Sequence, residues 1–117
     1  MDNEKTRIIQ ELVPGKQITI AHIIANPDEI LYHKLGLDPA KNHSGAIGIV
    51  TMSPSETAII AGDIAIKTSG AELGFVDRFS GTLIVTGTVS QVEEAVSAVC
   101  GYCEEKLKFS VCEITKT

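Results

Sequence analysis

The chain has 117 residues, 44% of them hydrophobic and 21% charged, with 10 basic against 15 acidic side chains for a net charge of −5. That is enough chain for one domain with a real core, too little for two, and too apolar for a disordered protein. The acidic balance disfavours general nucleic-acid binding, and 4% aromatics without Trp argue against a base- or sugar-stacking platform.

Residues 1–7 are polar, and Ile8-Ile9-Gln10-Glu11-Leu12-Val13 reads as a short strand stopped by Pro14-Gly15. Gln17 to Ala25 is rich in β-branched residues and predicts a second strand. Asn26-Pro27-Asp28-Glu29 signals a helix start, with Asn26 as N-cap, Pro27 at the first position and Glu29 reaching back. That short helix ends near Gly36, and residues 37–45 read as a loop. Ala46 to Met52 is a continuous apolar run, hence a buried strand. Ser53-Pro54-Ser55-Glu56 repeats the start signal for a helix that runs to about Ser69 and stops at Gly70. Glu72 to Phe79 and Thr82 to Thr88 predict a hairpin across Ser80-Gly81. Ser90-Gln91-Val92-Glu93 is a third capping box, and its helix puts Val92, Ala95, Val96, Val99 and Cys103 on one face. Lys106 and Lys108 follow where the helix dipole favours cations, and Phe109 to Ile114 is the last strand.

Residues 46–114 therefore read β-α-β-β-α-β. This is an α+β, ferredoxin-like arrangement: an antiparallel sheet with two helices on one face. The fold decides no function. The preceding residues add strand, strand and helix to a unit that already looks complete. The strand at 8–13 is too short to stand alone; it belongs to a separate unit or pairs with copies from other subunits.

Candidate chemistry is sparse. No apolar run approaches the ~20 residues of a membrane span. Met1-Asp2-Asn3-Glu4-Lys5 opens no secretory signal, so the three cysteines are expected as reduced thiols in a cytoplasm. Cys100-Gly101-Tyr102-Cys103 is a C-x-x-C, but it falls well inside a helix, where no N-terminal dipole lowers a thiol pKa. Cys112 on a strand has no spacing that makes a zinc site with them. His22, His33 and His43 share no metal-binding spacing, and His22 alternates with Ile20 and Ile24, facing a neighbour. Asp63 is expected to bond a backbone group or a cation. Ser80 follows no nucleophile elbow, and Gly45, Gly48, Gly62 and Gly70 match no phosphate loop. No catalytic residue, metal or cofactor is expected.

Ala46-Ile47-Gly48-Ile49-Val50, Gly62-Asp63-Ile64-Ala65-Ile66-Lys67, Leu73-Gly74-Phe75-Val76-Asp77-Arg78-Phe79-Ser80-Gly81, Val85-Thr86-Gly87-Thr88-Val89 and Val92-Glu93-Glu94-Ala95-Val96 together resemble the bacterial microcompartment shell-protein domain. The opening, Ile8 to Ala25, resembles its circularly permuted members, shell subunits of ethanolamine- and propanediol-utilisation organelles. The resemblance spans about residues 7–117.

The resemblance implies a non-enzymatic homohexamer that tiles with other shell proteins around encapsulated enzymes in the bacterial cytoplasm, with no nucleic-acid or membrane partner. It divides the chain into a barrel segment, 1–15, and a permuted shell domain, 16–117. Ile8, Ile9, Gln10, Glu11, Leu12 and Val13 would join five copies in a six-stranded parallel β-barrel over the axis. Phe79, Ser80 and Gly81 match the turn that lines the central pore. The family's first glycine there is replaced by Phe79, which implies a plugged opening. Lys67 matches a lysine at the hexamer edge. In a permuted domain Gln17–Ala25 takes the fourth sheet position; from the residues alone Phe109–Ile114 qualifies equally. A small-metabolite-sensing ferredoxin-like oligomer is the alternative, and a redox or metal enzyme on the three cysteines a third.

Overall fold

A computed structural model of the protein describes residues 15–37 and 45–117. The strand expected at 8–13, with its barrel, and His43 lie outside the described residues. The elements are β1 (Gln17–Ala25), α1 (Glu29–Lys34), β2 (Ala46–Ser53), α2 (Thr57–Thr68), β3 (Glu72–Asp77), β4 (Thr82–Gly87), α3 (Val89–Glu105), β5 (Ser110–Val111) and β6 (Thr115–Lys116).

The sheet order is β3-β4-β2-β1-β5, with β6 also on β1. β1 takes the fourth position, antiparallel to β2, with Ala21 opposite Val50 and Ala25 opposite Ala46. The segment 109–114 is not a single strand. It pairs in two short pieces, β5 and β6, and both run parallel to β1. The sheet is therefore mixed rather than antiparallel, and the final strand is an added edge. Its ladder lapses opposite the bulge in β1 between Ile18 and Ile20, where an extra residue disturbs the pairing.

Alternation along the strands sorts side chains to two faces. Ile18, Ala21, Ile23, Ala46, Val50, Met52, Leu83 and Val85 join Ala58, Ala61 and Ala65 of α2 and Val92, Ala95, Val96 and Val99 of α3 in one core. The two long helices thus lie on one face. Gly48 lets α3 approach: a Cβ there would stand 2.8–2.9 Å from Val92, Val85 and Val96. On the opposite face α1 lays Tyr32 and the following Leu37 over Ile47 and Ile84.

The helix starts differ from the sequence expectation in all three cases. Asn26 is not the cap of α1: it is left-handed at φ 51, its N–H bonds to Gly45 O, and the chain turns there. Asp28, extended, caps instead by accepting the Ile30 amide at 3.0 Å. At α2 no side chain caps. Thr57, Ala58 and Ile59 amides donate to the carbonyls of Pro54, Ser55 and Glu56, so a preceding turn already uses the groups a cap would satisfy. At α3 the capping box is Thr88 with Gln91, two residues before the expected Ser90-Glu93 pair. β4 ends at Gly87, so Thr88 is the first extended residue able to cap.

Candidate functional site

The turn joining β3 to β4 is built by one carboxylate. Asp77 Oδ1 accepts the Phe79 amide at 2.9 Å and Oδ2 accepts the Ser80 hydroxyl at 2.9 Å. Ser80 Oγ also lies 2.9 Å from Thr82 Oγ1. The Gly81 amide donates to Asp77 O, and Gly81 O accepts the Met52 amide, each at 2.9 Å, which ties the turn to the end of β2. Gly81 has φ +76, and a Cβ there would overlap the Met52 carbonyl oxygen, so no other residue fits without a shift. The Phe79 amide, then the Ser80 hydroxyl, hold the Asp77 carboxyl below the usual carboxylate range.

With its base fixed, the turn presents Phe79 to solvent at 80% exposure. The Arg78 guanidinium stacks on that ring at 4.8 Å, a cation–π contact. Ile59, Val76, Asp77, Arg78 and Phe79 line a shallow hollow beside the turn. Sequence reading named Phe79, Ser80 and Gly81 but missed Asp77 and Arg78. The signal was present: an Asp two residues before the tip is an Asx-turn former.

Lys67 stands on the outer side of α2, its ammonium 3.0 Å from Asp63 Oδ2 one turn back. This exposed pair contributes about 0.3–0.5 kcal/mol. Asp63 therefore meets a cation on its own helix, at the surface. Ile59, Ile60 and Ile66 are exposed on the same helix. Lys67 and the Phe79 turn are separate features, on α2 and on the β3–β4 hairpin.

The three cysteines are free thiols. Cys100 and Cys103 lie on the buried face of α3, in the core. Burial, with smaller contributions from Cys112, Cys103 and Glu104, pushes the Cys100 thiol up to about 12, and burial takes Cys103 to about 11. Neither is a thiolate near neutrality, so the C-x-x-C pair lacks the nucleophile that dithiol redox chemistry needs. Among the described residues no three His, Cys, Asp or Glu side chains gather to hold a metal ion. His33 is exposed on α1. His22 meets the neighbour expected of it: its Nδ1 lies 2.6 Å from Thr115 Oγ1 and its Nε2 2.9 Å from Thr117 Oγ1. No helix of the described residues is long and apolar enough to cross a membrane.

The family model of the BMC domain matches residues 46–115. The bacterial microcompartment shell protein EutS of Escherichia coli strain K12 is 51% identical over 97% of this chain and 99% of its own length. The chain belongs to the BMC-domain family of bacterial microcompartment shell proteins. The shell protein PduU of Salmonella typhimurium strain LT2 is 52% identical over 95% of this chain and 93% of its own. Among solved structures, the CutR flat hexamer superposes with a TM-score of 0.82 at 46% identity, covering 90% of this chain and 94% of that one. The span matched by the BMC model begins at residue 46, yet the sheet draws its fourth strand from β1, residues 17–25. A BMC domain whose fourth strand precedes the matched span is a circularly permuted one.

Proposed function

We propose that this shell protein closes into a homohexamer that tiles, with other shell proteins, around encapsulated enzymes in the bacterial cytoplasm. Its role is structural, and it limits the passage of small metabolites. The observation that carries this reading is the close fit to the CutR flat hexamer at 46% identity over nearly the whole of both chains. Identity of 51–52% to EutS and PduU favours the shell reading over metabolite sensing and over cysteine chemistry.

In this reading the turn of Phe79, Ser80 and Gly81 faces the sixfold axis. What supports it is a rigid base with a large ring projecting from it: six such rings would close an opening that small residues would leave free. Lys67, exposed near the C-terminal end of α2 next to the exposed Ile66 in sequence, is assigned to the hexamer edge. A long exposed cation suits lateral packing of copies, where its stem can cover apolar area while the head stays wet. Residues 8–13 are assigned to the barrel over the axis, and the division at residues 15 and 16 belongs to the same reading.

Native mass spectrometry tests it. A species of six times 12.5 kDa is expected; a monomer, dimer or trimer overturns it. The same chain lacking residues 1–15 separates two roles for that segment. A persisting hexamer means that it caps the ring, and dissociation means that it helps to hold it. Lys67→Glu is expected to leave the hexamer mass unchanged and to abolish sheets seen by electron microscopy.

A further inference from the structure

We propose that residues 113–117 are a strap that guards the outer edge of β1, and that its release turns this edge into a self-pairing surface for a second copy of the chain. β1 reads Gln-Ile-Thr-Ile-Ala-His-Ile-Ile-Ala over nine residues, with no Lys, Arg, Asp, Glu, Pro or Gly. An uncharged, β-branched segment without Pro is the kind that pairs with copies of itself, and natural edges avoid it with charges, prolines or cover. β1 carries none of the first two. One side of it is taken by β2; among the described residues the other is covered by the parallel pieces β5 and β6.

Val111 and Cys112 pack on the core and fix the start of the cover, whereas residues 113–117 are held by a few polar contacts. The Thr117 amide donates to Ile23 O at 2.9 Å, and the Ala25 amide donates to Thr117 O at 3.1 Å. His22 sits between the hydroxyls of Thr115 and Thr117, one on each ring nitrogen. Lys116 points the other way and pairs with Glu93 of α3 at 2.7 Å. The i, i+2 spacing puts both threonines on the His22 side and the lysine on the helix side, so one short segment latches on both faces. Residues 113–117 are all exposed, and no core side chain anchors them. Such a strap opens locally while the domain stays folded.

The test uses the full chain carrying Thr115→Ala with Thr117→Pro, which removes both hydroxyls and the amide bound to Ile23 O. Hydrogen exchange at the Ala25 amide is expected to speed up about tenfold or more, the loss of roughly one net hydrogen bond. The Val99 amide is expected to stay protected, showing an intact core. Light scattering is expected to give a mass that climbs with concentration above that of the parent. Adding Ile20→Lys, at a site already 49% exposed, is expected to restore the parental mass by charging the edge. Should the double variant lose its fold, His22→Ala carries the same two readouts with the backbone ladder kept. Fast exchange at Ala25 with an unchanged mass overturns the guarding role. Unchanged exchange overturns the latch, and association that Ile20→Lys leaves in place overturns the assignment to β1.

Discussion

Asp77 and Phe79 are coupled by a single 2.9 Å hydrogen bond, from the Phe79 amide to Asp77 Oδ1, so the carboxylate that closes the turn also sets where the exposed ring stands. Ser80 occupies the second carboxylate oxygen. Both side-chain oxygens of Asp77 are therefore used inside the turn, while its backbone carbonyl takes the Gly81 amide. Four residues on from Asp77, Gly81 fastens the same turn to β2.

Protonating Asp77 weakens both bonds, because they favour the charged form. Its carboxyl is expected to titrate below the ordinary ~3.9 in a carbon-detected NMR titration. With the folded value depressed, the stabilisation is present in full above the unfolded value and is lost as pH falls through the folded one. Asp77→Asn is expected to remove this dependence and to speed exchange at the Ser80 and Phe79 amides. An Asp77 titration at or above the unfolded value would contradict the assignment.

Gly81→Ala places a Cβ against the Met52 carbonyl at a positive φ. The expected loss is about 1–3 kcal/mol of stability from backbone strain alone, read by denaturant unfolding. Gly48→Ala is expected to cost about 1–3 kcal/mol for a different reason, overpacking against Val85, Val92 and Val96.

Tyr32 is 1% exposed, and among the described residues its buried hydroxyl has no hydrogen-bond partner. Desolvation raises its pKa. Tyr32→Phe keeps the ring over Ile47 and Ile84 and deletes only the orphan group. The expected outcome is unchanged stability or a gain of about 1 kcal/mol in urea unfolding. Tyr32→Ala is expected to lose about 3–5 kcal/mol through the cavity it leaves.

Iodoacetamide at pH 8 is expected to label Cys112, which is half-buried, while Cys100 and Cys103 react only after denaturation. The raised thiols also carry a sign. Between an unfolded value of ~8.5 and folded values of about 12 and 11, the folded state holds more protons. Stability is thus lost as pH rises above ~8.5, and Cys100→Ala with Cys103→Ala is expected to flatten that decline.

Much of this protein is written in local pattern. The apolar run at 46–52, the helical face of Val92, Ala95, Val96, Val99 and Cys103, and the hairpin around Ser80-Gly81 each follow from side-chain period or from turn chemistry, which need no distant partner. The family likeness was legible for the same reason, since its motifs are contiguous. Caps were less legible: Ser90-Glu93 and Thr88-Gln91 both match the capping pattern, and only the end of β4 at Gly87 selects the second.

Long-range choices waited for the tertiary structure. Gln17–Ala25 and Phe109–Ile114 have equal claims as strands; β1 won the place beside β2 because nine residues in register offer a longer ladder than two broken pieces. The Thr115-His22-Thr117 latch joins residues more than ninety positions apart, and no local period encodes it. Residue pattern by itself determined the course of the helices, the strands at 17–25, 46–53, 72–77 and 82–87, and the family likeness, because these depend on neighbours in sequence. The tertiary structure alone decided which strand completes the sheet, which carboxylate orders the turn and what covers the edge, because each is a contact between segments that sequence order keeps apart or a competition between equally suited local groups.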